Sequence, residues 1–185
     1  MHDLGVDMLS ASAHKFNGPK GVGFLYIRNG IEILPYSDGG AQEFGLRAGT
    51  ENIAGIVGMA VALKDNCDAL KENVKHVRGL ESKLVDMLDN TGIQYTRNGG
   101  ADRLPGLVSL SFPGADGEAV LHRLDLNGIC VSTGSACNSK STEVSHVLQA
   151  IRLEDSYAKG TIRVSFGKAN TEDLSLIHIS EPTRH

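Results

Sequence analysis

The 185-residue chain has no long hydrophobic run, no surplus of basic residues and only three cysteines. Each shortage excludes a class of protein. The longest uncharged apolar stretch runs from Ile53 to Leu63, far short of the roughly 18 residues a membrane span needs. Eighteen Lys and Arg stand against 22 Asp and Glu, a net charge of −4. No positive field is available to wrap a phosphate backbone, so nucleic acid is not an expected partner. The cysteines, Cys67, Cys130 and Cys137, are odd in number and form no Cys-x-x-Cys pair. That disfavours both a disulfide framework and a structural zinc site, so no metal is expected. Met1-His2-Asp3-Leu4 has neither the basic start nor the apolar core of a secretory signal. The chain reads as a cytoplasmic globular protein.

Glycine, by contrast, is plentiful. Its 22 residues are about 12% of the chain, against a usual level of about 7%. They follow no period, which excludes collagen and points to tight turns and close backbone approaches. Two apolar runs, Val6 to Ser10 and Gly21 to Ile27, have strand length, with Asn17-Gly18-Pro19-Lys20-Gly21 between them. Residues 31–50 read as loop. Thr50 is placed to cap a helix whose stripe is Ile53, Ile56, Val57, Ala60 and Leu63. A second helix carries Leu70, Val74, Val77, Leu84 and Leu88 on its apolar face and stops at Gly92. Its other face, with Lys71, Glu72, Lys75, Arg78, Glu81 and Lys83, reads as solvated. Beyond Tyr95 short elements alternate: strands over 107–112, 129–131 and 161–166, helices over 118–126 and 143–151. Such alternation predicts a small α/β domain.

Four clusters suggest chemistry. Ser12-Ala13-His14-Lys15 ends the first run. A lysine there, with a hydroxyl and an imidazole beside it, suits a Schiff-base lysine next to a bound phosphate. Strand alternation would put Ser12 and His14 on one side and Lys15 on the other; a polar turn is the alternative. The following Gly18 to Gly23 stretch is no P-loop, since it lacks the Gly-Lys-Ser/Thr ending. Arg47 to Asn52 opens a helix, offering either an anion site at its N–H groups or a plain cap. Ser132-Thr133-Gly134-Ser135-Ala136-Cys137 packs poorly and would present Cys137 as a nucleophile, or as an idle thiol. Cys130 and Cys67 read as buried small hydrophobes. Arg163, alone in the apolar strand Ile162 to Phe166, needs a carboxylate from the protein or from a substrate.

In this order, these motifs closely resemble the cysteine desulfurases of the NifS/IscS type, pyridoxal phosphate enzymes of fold-type I and the class V aminotransferase group. The likeness runs from about Leu4 to Leu174. It implies an α/β fold: the end of the cofactor-binding large domain (1–66), a connecting helix (67–94) and a small α/β domain (95–174). It further implies that Lys15 carries the cofactor as a Schiff base and moves the Cα proton, while Ser12 and His14 bind the phosphate. Thr50 would bind the phosphate of a neighbouring subunit in a homodimer, and Arg163 the carboxylate of L-cysteine. Cys137 would take the sulfur as a persulfide for an acceptor or scaffold protein in iron–sulfur assembly or thiolation, releasing alanine. A selenocysteine lyase and a non-catalytic interaction or dimerisation fragment are the alternatives.

The likeness is to the C-terminal half of the family only. Its upstream phosphate turn, ring-stacking imidazole and ring-nitrogen aspartate have no counterpart here, so the chain alone is expected to be inactive and its first strands to lack sheet neighbours. Residues 175–185 resemble a translated sequencing adapter, which puts the expected native end near Leu174.

Overall fold

The structure, a computed structural model, describes residues 2–133 and 145–172. They divide into two compact units on either side of Leu70 and Lys71. Both mix helix and strand, as the α/β reading requires.

In the first unit β1 (Met8–Ser12) pairs antiparallel with β2 (Gly23–Ile27), in the register Met8↔Ile27 to Ser12↔Gly23. Each strand thus finds its neighbour in the other. Pleating alternates the side chains: Leu9, Ala11, Phe24 and Tyr26 are half-buried, while Met8 and Leu25 face outward. β1 starts two residues later than the apolar run suggested. Arg28 instead donates to the Val6 carbonyl at 2.9 Å and pairs with Asp7 at 3.0 Å.

Helix α1 (Ile53–Asp68) is capped by Asn52, whose Oδ1 accepts from the Gly55 N–H at 3.1 Å. Its inward face differs from the predicted stripe. Gly55, Ile56, Gly58, Met59, Ala62 and Asn66 are buried or half-buried, whereas Ile53, Val57 and Leu63 are exposed. Small residues turn inward because the loop after β1 comes close: a Cβ on Gly58 would lie 2.8 Å from Pro19 Cγ.

The second unit is a three-stranded antiparallel sheet, β3 (Thr96–Arg97), β4 (Leu107–Ser111) and β5 (Thr161–Ser165), in the order β3-β4-β5. Helix α2 (Leu70–Thr91) buries Val77, Leu80, Leu84 and Leu88. Leu84 and Leu88 share a core with Val108, Leu110 and Ile162, and each such side chain contributes about 1.5–3 kcal/mol when fully buried. Leu80 joins this face, and Leu70, predicted there, is exposed instead. Short helices α3 (Gly117–Asp125), α4 (His146–Ala150) and α5 (Asp155–Ala158) complete the unit. Residues 129–131, read as a strand, are irregular, and only Ser132 bridges to β5.

The solvated face assigned to α2 also needs correction. Glu81 pairs with Arg97 and accepts from the Gly106 N–H at 3.0 Å, and Lys83 pairs with Glu172 at 2.6 Å. Burial, with the Arg103 charge nearby, lowers the Arg97 guanidinium below its ordinary pKa.

Two glycines, one in α2 and one just before β5, have opposite surroundings. Gly79 has open space where its Cβ would be, whereas a Cβ on Gly160 would strike the Phe112 carbonyl. In urea unfolding, Gly79→Ala should stabilise the chain by about 0.5–1 kcal/mol. Gly160→Ala should destabilise it by about 1–3 kcal/mol.

Candidate active site

The chain leaves β1 at Ser12 through a 3₁₀ turn, Ala13–Phe16, that carries His14 and Lys15. Extended alternation ends at Ser12, so it does not govern where His14 and Lys15 point; the sequence expectation on their sides fails there. Ala13 anchors the turn, with 0% exposure and an N–H donating to the Val22 carbonyl at 3.0 Å. Asn17 closes it in the left-handed region (φ 65°), a conformation asparagine tolerates. The Gly18 N–H then returns to the Ala13 carbonyl at 2.8 Å. Ser12, His14 and Lys15 are all exposed. Lys15 forms no ion pair among the described residues, and the Ser12 hydroxyl makes no cap bond. The result is an unpaired amine on a short, braced turn that also carries His14 and follows the Ser12 hydroxyl.

Residues 36–48 close on themselves. The Tyr36 N–H donates to the Leu46 carbonyl at 2.9 Å and the Ala48 N–H to the Ser37 carbonyl at 3.1 Å. Thr50 follows this loop, exposed and three residues ahead of α1. It is not the cap, because Asn52 fills that role. Of the segment Arg47–Asn52, read as opening the helix, Asn52 forms the cap and residues 47–51 precede it.

In the second unit Arg163 sits mid-β5, opposite Ser109 on β4. Its backbone exchanges two hydrogen bonds with Ser132, Arg163 N–H to Ser132 O at 2.6 Å and Ser132 N–H to Arg163 O at 3.1 Å. Its guanidinium reaches no carboxylate among the described residues. One Nη lies 3.5 Å from Ser132 Oγ, and the buried Nε has no partner. A buried donor without an acceptor is costly, and it suits an incoming carboxylate. Thr133 donates to Glu118 at 2.5 Å, while Asp116 caps α3 through the Glu118 N–H at 2.9 Å. Sequence reading missed Glu118; the Asp-x-Glu start of a helix was the available signal.

Cys137 lies outside the described residues, as do Gly134, Ser135 and Ala136. Cys67 and Cys130 are free and exposed, not buried as predicted. Cys130 loses its expected burial because residues 129–131 are not a sheet strand. Among the described residues no group of three or more His, Cys, Asp or Glu is placed to hold a metal ion. Nor is any described helix long and apolar enough to cross a membrane.

The aminotransferase class-V family matches residues 1–174, and the chain belongs to that family. Within it, the chain is 46% identical to the cysteine desulfurase IscS of Clostridium botulinum (strain Hall) over 174 residues, 92% of this chain and 44% of that protein. Its fold matches a solved NifS-like protein with a TM-score of 0.84 at 43% identity, covering 95% of this chain and 44% of that one. A structure described as SspA in complex with cysteine matches with a TM-score of 0.66 at 33% identity, covering 90% of this chain and 45% of that one. The chain thus spans under half the length of these relatives.

The capping geometry separates Thr50 from Asn52. Asn52→Ala should cost about 1 kcal/mol by loss of the α1 cap. Thr50→Ala should stay within about 0.5 kcal/mol of the parent. Paired urea or thermal unfolding curves check both.

Proposed function

We propose that this chain carries the amine, substrate-binding and sulfur-accepting groups of a pyridoxal phosphate-dependent cysteine desulfurase, converting L-cysteine to L-alanine. The observation that carries the reading is the unpaired Lys15 amine on its braced turn, in a chain 46% identical to a cysteine desulfurase.

The residues fit the cofactor. The Lys15 amine is free to condense with an aldehyde, and Ser12 and His14 offer a hydroxyl and an imidazole to a phosphate. Bound there, pyridoxal phosphate supplies an electron sink for the substrate's Cα–H bond. The Lys15 amine, once free, takes the Cα proton and returns one to carbon. Arg163 holds the substrate carboxylate, which would satisfy its orphaned buried Nε. A carboxylate bound twice by one planar guanidinium is fixed in orientation as well as in place.

Cys137 accepts the sulfur. Its thiolate attacks the substrate sulfur; the new S–S bond forms as the substrate C–S bond breaks. The electron pair of that bond stays with carbon and is protonated, giving alanine and a Cys137 persulfide. In the intact protein a homodimer would bring Thr50 to the neighbouring subunit's cofactor phosphate, and an acceptor protein would collect the sulfur. Such an enzyme would work in the cytoplasm.

Incubation with pyridoxal phosphate, borohydride reduction and peptide mapping should place the adduct on the Lys15 peptide, and Lys15→Ala should abolish it. In a protein of the relatives' full length, Cys137→Ser should reduce alanine release from L-cysteine to background while leaving cofactor capture at Lys15 intact. Substantial turnover in Cys137→Ser would remove Cys137 as the acceptor.

A further inference from the structure

The turn that carries Lys15 is held from behind by a side chain whose chemistry the reaction does not use. Asn66 sits half-buried in the last turn of α1 with its amide fully engaged. Its Nδ2 donates to the Phe16 carbonyl at 2.7 Å and to the Ala62 carbonyl of its own helix at 2.7 Å. Its Oδ1 accepts from Asn17 Nδ2 at 3.2 Å. Phe16 and Asn17 are the two residues immediately after Lys15.

We propose that Asn66 is a positioning residue that sets the direction of Lys15 by clamping the peptide that follows it. The proposal rests on Lys15 being the cofactor-binding lysine. A 3₁₀ turn of four residues has poor hydrogen-bond geometry and little stability of its own, and carbonyls at a helix end need outside partners. The N-terminal side of this turn is fixed by buried Ala13 and its bond to Val22. Its C-terminal side is closed by the Asn17 and Gly18 N–H bonds to the Ala13 carbonyl and held from outside the turn by Asn66. Lys15 lies between the two anchors, so loosening either one swings its Cα. Displacement of a reacting group by about 1 Å costs on the order of a hundredfold in rate.

The residue type matches the task. Asparagine presents two diverging N–H donors, and here they meet two carbonyl oxygens. The bond to Ala62, one helical turn back, holds the rotamer that aims the other N–H at Phe16. Aspartate has nearly the same shape but would turn carboxylate oxygens toward both carbonyls. Alanine would suit the helix better than asparagine on intrinsic propensity, so an Asn66→Ala change leaves α1 intact and removes only the clamp.

The test uses Asn66→Ala, Asn66→Asp and Asn17→Gly in this chain. Glycine accepts the left-handed backbone at position 17, so Asn17→Gly removes the Oδ1 contact while leaving the clamp on the Phe16 carbonyl. Amide exchange is measured without cofactor at the Asn17 and Gly18 N–H groups, both of which donate to the Ala13 carbonyl. The second readout is the initial rate of borohydride-trapped pyridoxal phosphate labelling at Lys15 relative to Lys20, an exposed lysine in the same loop. In both Asn66 variants, exchange should quicken about tenfold and the Lys15:Lys20 ratio should fall about tenfold, the size of effect expected for one hydrogen bond. Asn17→Gly should leave both near the parent value. Parent-like exchange, or a parent-like labelling ratio, in both Asn66 variants overturns the proposal. A protein of the relatives' full length that labels Lys15 no faster than Lys20 overturns the Lys15 reading itself, and the proposal with it; that control precedes the variants.

Discussion

The antiparallel pairing of β4 with β5 sets the second unit, because its register decides which side chains enter the core. Val108 pairs with Val164 and Leu110 with Ile162. These four share one face by pleat alternation, and Val108, Leu110 and Ile162 meet Leu84 and Leu88 of α2 there. The opposite face carries Ser109, Ser111, Thr161 and Arg163. A slip of one residue would exchange the two faces and bury arginine in the apolar cluster. Hydroxyls guard against it. Ser111, with 0% exposure, lies 2.6 Å from Thr161 Oγ1, and Asn98 Nδ2 reaches Ser111 Oγ at 2.8 Å and Ser109 Oγ at 3.0 Å. A slip of β5 along β4 would break the buried Ser111–Thr161 hydroxyl pair, at a cost of about 1–3 kcal/mol. The placement of Arg163 follows from that row.

Pleating plays the complementary part in the first unit, where its end matters. β1 and β2 alternate regularly until Ser12 and Gly23. Beyond Ser12 the backbone tightens into a 3₁₀ turn, and consecutive residues no longer oppose one another. Ser12, His14 and Lys15 therefore owe their arrangement to the turn and to what holds it: buried Ala13 before and Asn66 behind. A lysine on an unbraced loop would sample many directions. Bracing the backbone leaves the long side chain as the only soft element.

Much of this was legible in the residues. Ile162, Val164 and Phe166 alternating with Thr161, Arg163 and Ser165 announced a strand with one polar face, and the Val77–Leu84–Leu88 spacing announced the buried side of α2. The α1 stripe was not legible. Hydrophobic spacing assumes that large apolar residues face inward, but α1 turns Gly55, Gly58 and Ala62 inward, with the Pro19 ring of the loop after β1 close against Gly58 and the Asn52 cap against Gly55. Exposed Ile53 and Val57 therefore misled the reading. The cap was misplaced for a related reason: Thr50 and Asn52 are both good cap residues, and only the backbone decides between them. The partners of Glu81 and Lys83 were hidden because Arg97 and Glu172 are distant in sequence.

The exposed thiols alter the reasoning about sulfur. Were Cys130 buried, its inaccessibility would explain why only one cysteine is assigned the sulfur-accepting role. It is exposed, as is Cys67, so burial sets neither of these two aside. On the proposed desulfurase reading, selectivity would then rest on position relative to the substrate. Cys130 stands two residues before Ser132, whose backbone is bonded at both N–H and C=O to Arg163. That bridge is the contact that joins this segment to β5 among the described residues. Thr133, held by Glu118, is the next fixed point. Any cysteine that both meets the substrate and delivers sulfur to a second protein must be released from such ties. Cys137, four residues beyond Thr133 and preceded by Gly134, Ser135 and Ala136, is separated from them by residues with minimal side chains. On the proposed reading, Cys130 stands before these contacts in the sequence and Cys137 beyond them.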